Sequence, residues 1–242
     1  MTTSHAFPAR SRPCYILAAY LLVMLIHGRF EAAGLANDVN GDMSVALLRE
    51  YEHGKNHLYR QRCNSRKKSD GASDFVCAYL KYKETGNGRD FINSIPKEPN
   101  AITSLWHIDE NLSRGMGPQY SGPKFLHDGS FSFSFVDAVY KQVQKQNPKA
   151  LDRFLALNAS ADGAVAEYTA DLILDAFDHN AMFILTHWNV AKPYVSTIGL
   201  ESTDLSDRKS TLKKKYQRLC KRSDVPREAC VGAANLLGIG HR

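Results

Sequence analysis

Apolar residues return every three or four positions along most of this chain, and that period leaves helix as the regular structure able to bury them on one side. The clearest stretch starts at Asn147-Pro148, an N-cap followed by proline at the first helical position, after which Leu151, Phe154, Leu155 and Leu157 share a face. Val165, Tyr168, Leu172, Ile173, Ala176 and Phe177 continue the pattern over 161–178. Asn180 then offers a cap for 181–190, where Phe183, Ile184, Leu185 and Trp188 are apolar. Upstream, the same spacing predicts helices over 43–62, from Asp74 through Tyr82, over Phe91–Ile95 up to Pro96, and over 100–112. Gly54 is where the first of these can kink or divide. Two more are expected near the C-terminus, over 207–222 and 226–237.

These segments predict an all-α fold of stacked αα-hairpins with little or no β structure. Sliding 137–157 along 170–190 superposes Asn147 on Asn180, Leu151 on Ile184 and Val139 on Leu172, an offset of 33 residues. Such a period suits a short HEAT- or TPR-like superhelix, and two units equally describe antiparallel hairpins in a closed helical bundle. The loop 113–130 interrupts the pattern with Gly115, Gly117, Pro118, Gly122, Pro123 and Gly129, while Tyr120, Phe125 and Leu126 predict that it lies against the body. Phe131-Ser132-Phe133-Ser134-Phe135 alternates with the period of a strand but runs directly into Val136, Val139, Tyr140 and Val143 at helical spacing. Ser134 and Asp137 resemble a capping box. Helix is therefore expected over 135–146, with the first phenylalanines as a short extended lead-in.

The N-terminus reads as an address. Arg10 and Arg12 precede an unbroken apolar run from Cys14 to Ile26, which His27, Gly28 and Arg29 end. A run of that length makes about 20 Å of helix, short of the ~30 Å hydrocarbon core of a bilayer. This order predicts a secretory signal peptide over residues 1–36, cut after Ala36; an uncleaved anchor is the alternative. The remainder, 37–242, is expected to be a single all-α domain without a transmembrane span, located in a periplasm or outside the cell. Once Cys14 is removed, Cys63, Cys77, Cys220 and Cys230 remain, an even number in an oxidising compartment. Their clustering predicts Cys63–Cys77 and Cys220–Cys230 disulfides, the second stapling a helical hairpin over 206–238. Neither spacing fits a C-x₂₋₄-C zinc knuckle.

The chain carries 31 Lys+Arg against 25 Asp+Glu, with an isoelectric point near 9.0. That excess is local: nine bases and three acids stand between Asp207 and Glu228, and the rest of the mature chain is mildly acidic. Lys213, Lys214, Lys215, Arg218, Lys221 and Arg222 are therefore candidate contacts for an anionic envelope component or a protein partner. Leu212, Tyr216 and Leu219 form one apolar stripe beside them, an arrangement that an ordinary solvated helix shares. Nucleic acid is not expected, because export removes the chain from it and no recognition motif is present.

Chemistry-bearing motifs are few. His53 and His57 have the i, i+4 spacing that lets two imidazoles on one helix face reach one metal ion, but Glu52 precedes the first histidine where H-E-x-x-H places it after. His107, Asp109 and Glu110 put an imidazole and two carboxylates beside the glycine-rich loop, the groups an acid–base pair needs if burial separates their pKa values. His127-Asp128 and Asp178-His179 are neighbour pairs at turns or helix ends, with no nucleophile motif attached. No cofactor is expected. The sequence thus predicts an exported helical binding or interaction protein, with a secreted, metal-assisted hydrolase centred on His107, Asp109 and Glu110 as the alternative.

Overall fold

Helix supplies all the regular structure among the described residues, which in the computed structural model are 43–65, 71–114, 123–127, 129–196 and 205–236. The expected signal peptide, much of the glycine-rich loop including Tyr120, and the segment 197–204 lie outside them. The elements are α1 (43–52), α2 (Asn56–Asn64), α3 (Gly71–Thr85), α4 (Gly88–Ser94), α5 (Pro99–Arg114), α6 (Phe131–Gln144) and α7 (Pro148–Ala159). After these come α8 (Gly163–His179), α9 (Ala181–Thr186), α10 (Trp188–Ala191), a 3₁₀ turn at Lys192–Tyr194, α11 (Leu205–Leu219) and α12 (Arg227–Leu236). No described helix is long and apolar enough to cross a membrane.

The starts of α4, α6 and α7 follow from polar side chains that take up orphan N–H groups, whereas the Asn180 side chain makes no such bond at the start of α9. Asn147 Oδ1 accepts from Lys149 N at 3.0 Å and Ala150 N at 3.2 Å, as the Asn-Pro signal predicts. Asn87 Oδ1 accepts from Arg89 N at 3.1 Å. α3 ends where Gly86 adopts φ +69° and returns its N–H to Tyr82 O at 2.8 Å, a left-handed cap that glycine reaches without strain.

The α6–α7 hairpin is the centre of the fold. α6 packs on α5, α7 and α8, and α7 packs also on α4, α8 and α10, so the architecture is a helical bundle around this hairpin. Phe75, Phe91, Phe131 and Phe135 are fully buried with Tyr79, and their ring centroids lie 5.1–6.0 Å apart. Trp106 stacks on Phe135 at 5.1 Å and donates its indole N–H to Ser160 O at 3.0 Å. This tilted and edge-to-face packing is the favoured geometry of aromatic pairs. Cys63 bonds Cys77, tying α2 to α3, and Cys220 bonds Cys230, tying the end of α11 to α12.

The segment 43–62 divides at Gly54, the point where its sequence allows a break, and φ there is +68°. Other local expectations change. Helix α6 begins at Phe131 rather than Phe135, so the alternating phenylalanines are helical. Phe131 and Phe135, four residues apart, enter the core, while Phe133 turns the other way to meet Tyr168 at 4.8 Å. Ser134 and Asp137 form no capping box; Ser130 is the N-cap, accepting from Phe133 N at 3.3 Å. Residues 181–190 also split, at His187. That break turns Trp188 against Gly232, where a Cβ would fall 2.1 Å from the indole.

Candidate functional site

The residues proposed for acid–base chemistry do not converge. Asp109 faces the N-terminus of α6, where its oxygens accept from Phe131 N (2.6 Å), Ser132 N (2.9 Å) and Ser130 Oγ (3.0 Å). It is a capping carboxylate borrowed from another helix, and this is why α6 starts four residues early. Glu110 points elsewhere, to His107 Nδ1 and Arg114, each at 3.3 Å, and both His107 and Glu110 are exposed by more than half. The turn at Gly54 removes the common helix face from His53 and His57, and His53 Nδ1 donates to Arg49 O at 2.7 Å. Among the described residues no group of three His, Cys, Asp or Glu is placed to hold a metal ion. The Asp178-His179 neighbours also part: His179 pairs with Asp175 at 2.9 Å and Asp178 with Lys215 at 3.1 Å.

The basic hairpin has two sides. Leu212 and Tyr216 are buried, and the Tyr216 hydroxyl donates to Phe177 O at 3.2 Å, which fixes α11 to α8. Burial also holds this phenol well above its ordinary pKa. Two of the cations are neutralised, Lys215 by Asp178 and Arg222 by both oxygens of Asp224 at 2.9 Å, while Glu228 of the hairpin pairs with Lys192 outside it. Lys213 is half-buried. Lys214, Arg218 and Lys221 are exposed and have no carboxylate partner among the described residues. Lys214 and Arg218, four residues apart, share one face of α11, and Lys221 stands in the turn after it.

A different constellation converges at the other end of the central hairpin. Between α3, α6 and residues 123–127 lies a cavity of about 460 Å³. One wall is the end of the glycine-rich loop, held at four points. Lys124 N donates to Glu52 Oε1 at 2.9 Å, Phe125 packs on Tyr51 at 4.9 Å, Leu126 is buried, and His127 N donates to Ser134 Oγ. The expectation of a loop laid against the body holds for this described part. His127 Nδ1 lies 3.0 Å from Asp137 Oδ2 and donates to it. The other oxygen, Asp137 Oδ1, accepts from the Tyr168 hydroxyl.

Known protein families, curated proteins and solved structures give no match to this chain.

Lys83 and Lys141 line the same cavity, and neither has a carboxylate within ion-pair distance among the described residues. Tyr82, stacked on Phe91 at 5.2 Å, and Phe125 supply ring surface, and buried Tyr79 and Ser134 lie deeper. Burial raises the Tyr79 phenol far above its usual pKa, so it stays protonated at any physiological pH. The chain order conceals most of this set: the carboxylate that orients His127 is Asp137, one helix away, and not its neighbour Asp128. The traces in the sequence are the aromatic residues inside a glycine-rich loop and an aspartate three residues after a run of phenylalanines.

Proposed function

We propose that this chain is an exported α-helical binding protein that grips an anionic envelope component or an acidic protein through its C-terminal hairpin. The apolar run Cys14–Ile26 behind two arginines and the two local cysteine pairs support export. The observation that carries the binding reading is the exposed pair Lys214 and Arg218 on α11, a helix whose other stripe, Leu212 and Tyr216, is buried, with exposed Lys221 in the turn that follows. Like charges four residues apart on a helix repel by a few tenths of a kcal/mol per pair, so Lys214 and Arg218 weaken the isolated helix, a cost that is offset when an anion binds. Beside an anionic lipid surface each such cation contributes about 1 kcal/mol. The hydrolase alternative draws no support from the arrangement, because Asp109 is a cap and Glu110 pairs with His107 and Arg114 on an exposed helix face.

The test is capture from an envelope extract by the immobilised protein, wild type against a Lys214→Glu, Arg218→Glu, Lys221→Glu variant. The variant is expected to lose its partners by at least tenfold, and to lose them in wild type too as salt is raised. Full retention of every partner by the variant contradicts the proposal.

A further inference from the structure

The cavity beside α6 is independent of the basic hairpin and has the attributes of a ligand site. Its volume falls within the range of small-molecule pockets, ~300–1,000 Å³. Two of its lining groups are cations, Lys83 and Lys141. The one carboxylate among the lining residues, Asp137, has both oxygens engaged, by His127 Nδ1 at 3.0 Å and by the Tyr168 hydroxyl. It therefore orients the imidazole and pairs with neither lysine, and the two lysines outnumber the one carboxylate. A concave, low-dielectric cleft with one dominant sign of charge concentrates counter-ions of the opposite sign. The rest of the lining is not generic polar surface. Tyr82 is held from behind by stacking on Phe91 and by Gln142 Nε2, which donates to its hydroxyl at 3.4 Å. Phe125 and Leu126 are fixed by the loop anchors at Glu52 and Tyr51. The cavity thus presents cations and ring or aliphatic surface together, on walls whose positions are already set, so little ordering entropy is lost on binding.

We propose that this cavity binds a small organic anion, its carboxylate or phosphate group between Lys83 and Lys141 and its apolar body against Phe125, Leu126 and Tyr82. Loss of either half of the recognition weakens binding: an inorganic anion lacks the ring contact, and a neutral aromatic molecule lacks the lysines.

Isothermal titration of the full chain with phenyl phosphate, phenylacetate, inorganic phosphate and benzyl alcohol tests this directly. Binding of phenyl phosphate or of phenylacetate supports the proposal, the pair separating phosphate from carboxylate recognition. The Lys83→Glu, Lys141→Glu variant is expected to weaken that binding at least tenfold, with an unchanged melting curve because both lysines are exposed. Phe125→Ala is expected to weaken the aromatic anion severalfold while leaving inorganic phosphate unchanged. The Lys214→Glu, Arg218→Glu, Lys221→Glu variant is expected to bind the aromatic anion as wild type does. The proposal is overturned if neither aromatic anion binds at millimolar concentration, if benzyl alcohol binds as tightly as the anions, or if the lysine reversals in the cavity leave affinity unchanged.

Discussion

The cavity beside α6 and the face of α11 are both cationic, yet they differ in every property that decides what a cation recognises. In the cavity the charges line a concavity, the one lining carboxylate is engaged by His127 and Tyr168, and Tyr82 and Phe125 supply ring surface beside them. On α11 the charges stand on a convex helix, on long stems, with the apolar residues turned away into the core. The first arrangement selects by size and shape. The second selects by charge density alone and is screened within about 10 Å at 0.1 M salt. Net charge, the property most visible in the composition, therefore describes the less selective of the two regions.

The largest effect that separates them is structural. Phe135 is fully buried against Phe75, Phe131 and Trp106, so Phe135→Ala is expected to cost about 3–5 kcal/mol. Chemical denaturation should show that loss, and ligand binding in the cavity should fail at a lower denaturant concentration than in wild type. The disulfides come next. Each closes a short loop, with sequence separations of 14 and 10, and reduction or serine replacement is expected to remove about 3 kcal/mol of chain-entropy stabilisation from each. Losing Cys220–Cys230 should loosen the hairpin without moving the cavity, and hydrogen exchange resolved along the chain distinguishes the two.

Asp109→Ala follows, at about 1–2 kcal/mol, because it removes the acceptor for Phe131 N and Ser132 N at the start of α6. Asp109→Asn should recover part of this by keeping one oxygen, a recovery that a catalytic role for the carboxylate would not require. Alkaline pH tests both regions at once. Tyr79 near the cavity and Tyr216 under the hairpin are buried phenols with raised pKa values. The fold favours their neutral form, so the stability they contribute is intact below pH ~10, the ordinary phenol value, and falls as pH rises beyond it. Tyr216→Phe should flatten that alkaline fall in a series of denaturation midpoints. The smallest effect belongs to Arg218→Glu, expected to change stability by no more than about 0.5 kcal/mol in either direction, since the residue is exposed and unpaired among the described residues.

What was legible in the sequence follows the range of the interactions involved. Helical periodicity and the Asn147-Pro148 cap are local, and α7 starts where they predict. The local cysteine pairs likewise join as their spacing suggests. The start of α6 was misplaced because its decisive acceptor, Asp109, lies 22 residues from Phe131 and no local pattern reveals it. The same limit applies to function. His53 and His57 look like a metal pair only while the helix is assumed continuous through Gly54, and His107, Asp109 and Glu110 look like one site only while side-chain direction is ignored. His127 is visible as a candidate, but Asp137 and Tyr168 reach it, and Lys83 and Lys141 join its cavity, through the packing of α3, α6 and α8, which periodicity alone does not specify.

The central claim is that the hairpin row, and no other basic region, carries partner binding. The direct measurement is capture of envelope material by three matched proteins at one salt concentration: wild type, the Lys214→Glu, Arg218→Glu, Lys221→Glu variant, and the Lys83→Glu, Lys141→Glu variant. The account predicts that the first reversal abolishes capture and that the cavity reversal leaves it at the wild-type level. Capture that persists in the hairpin variant and disappears in the cavity variant would contradict it.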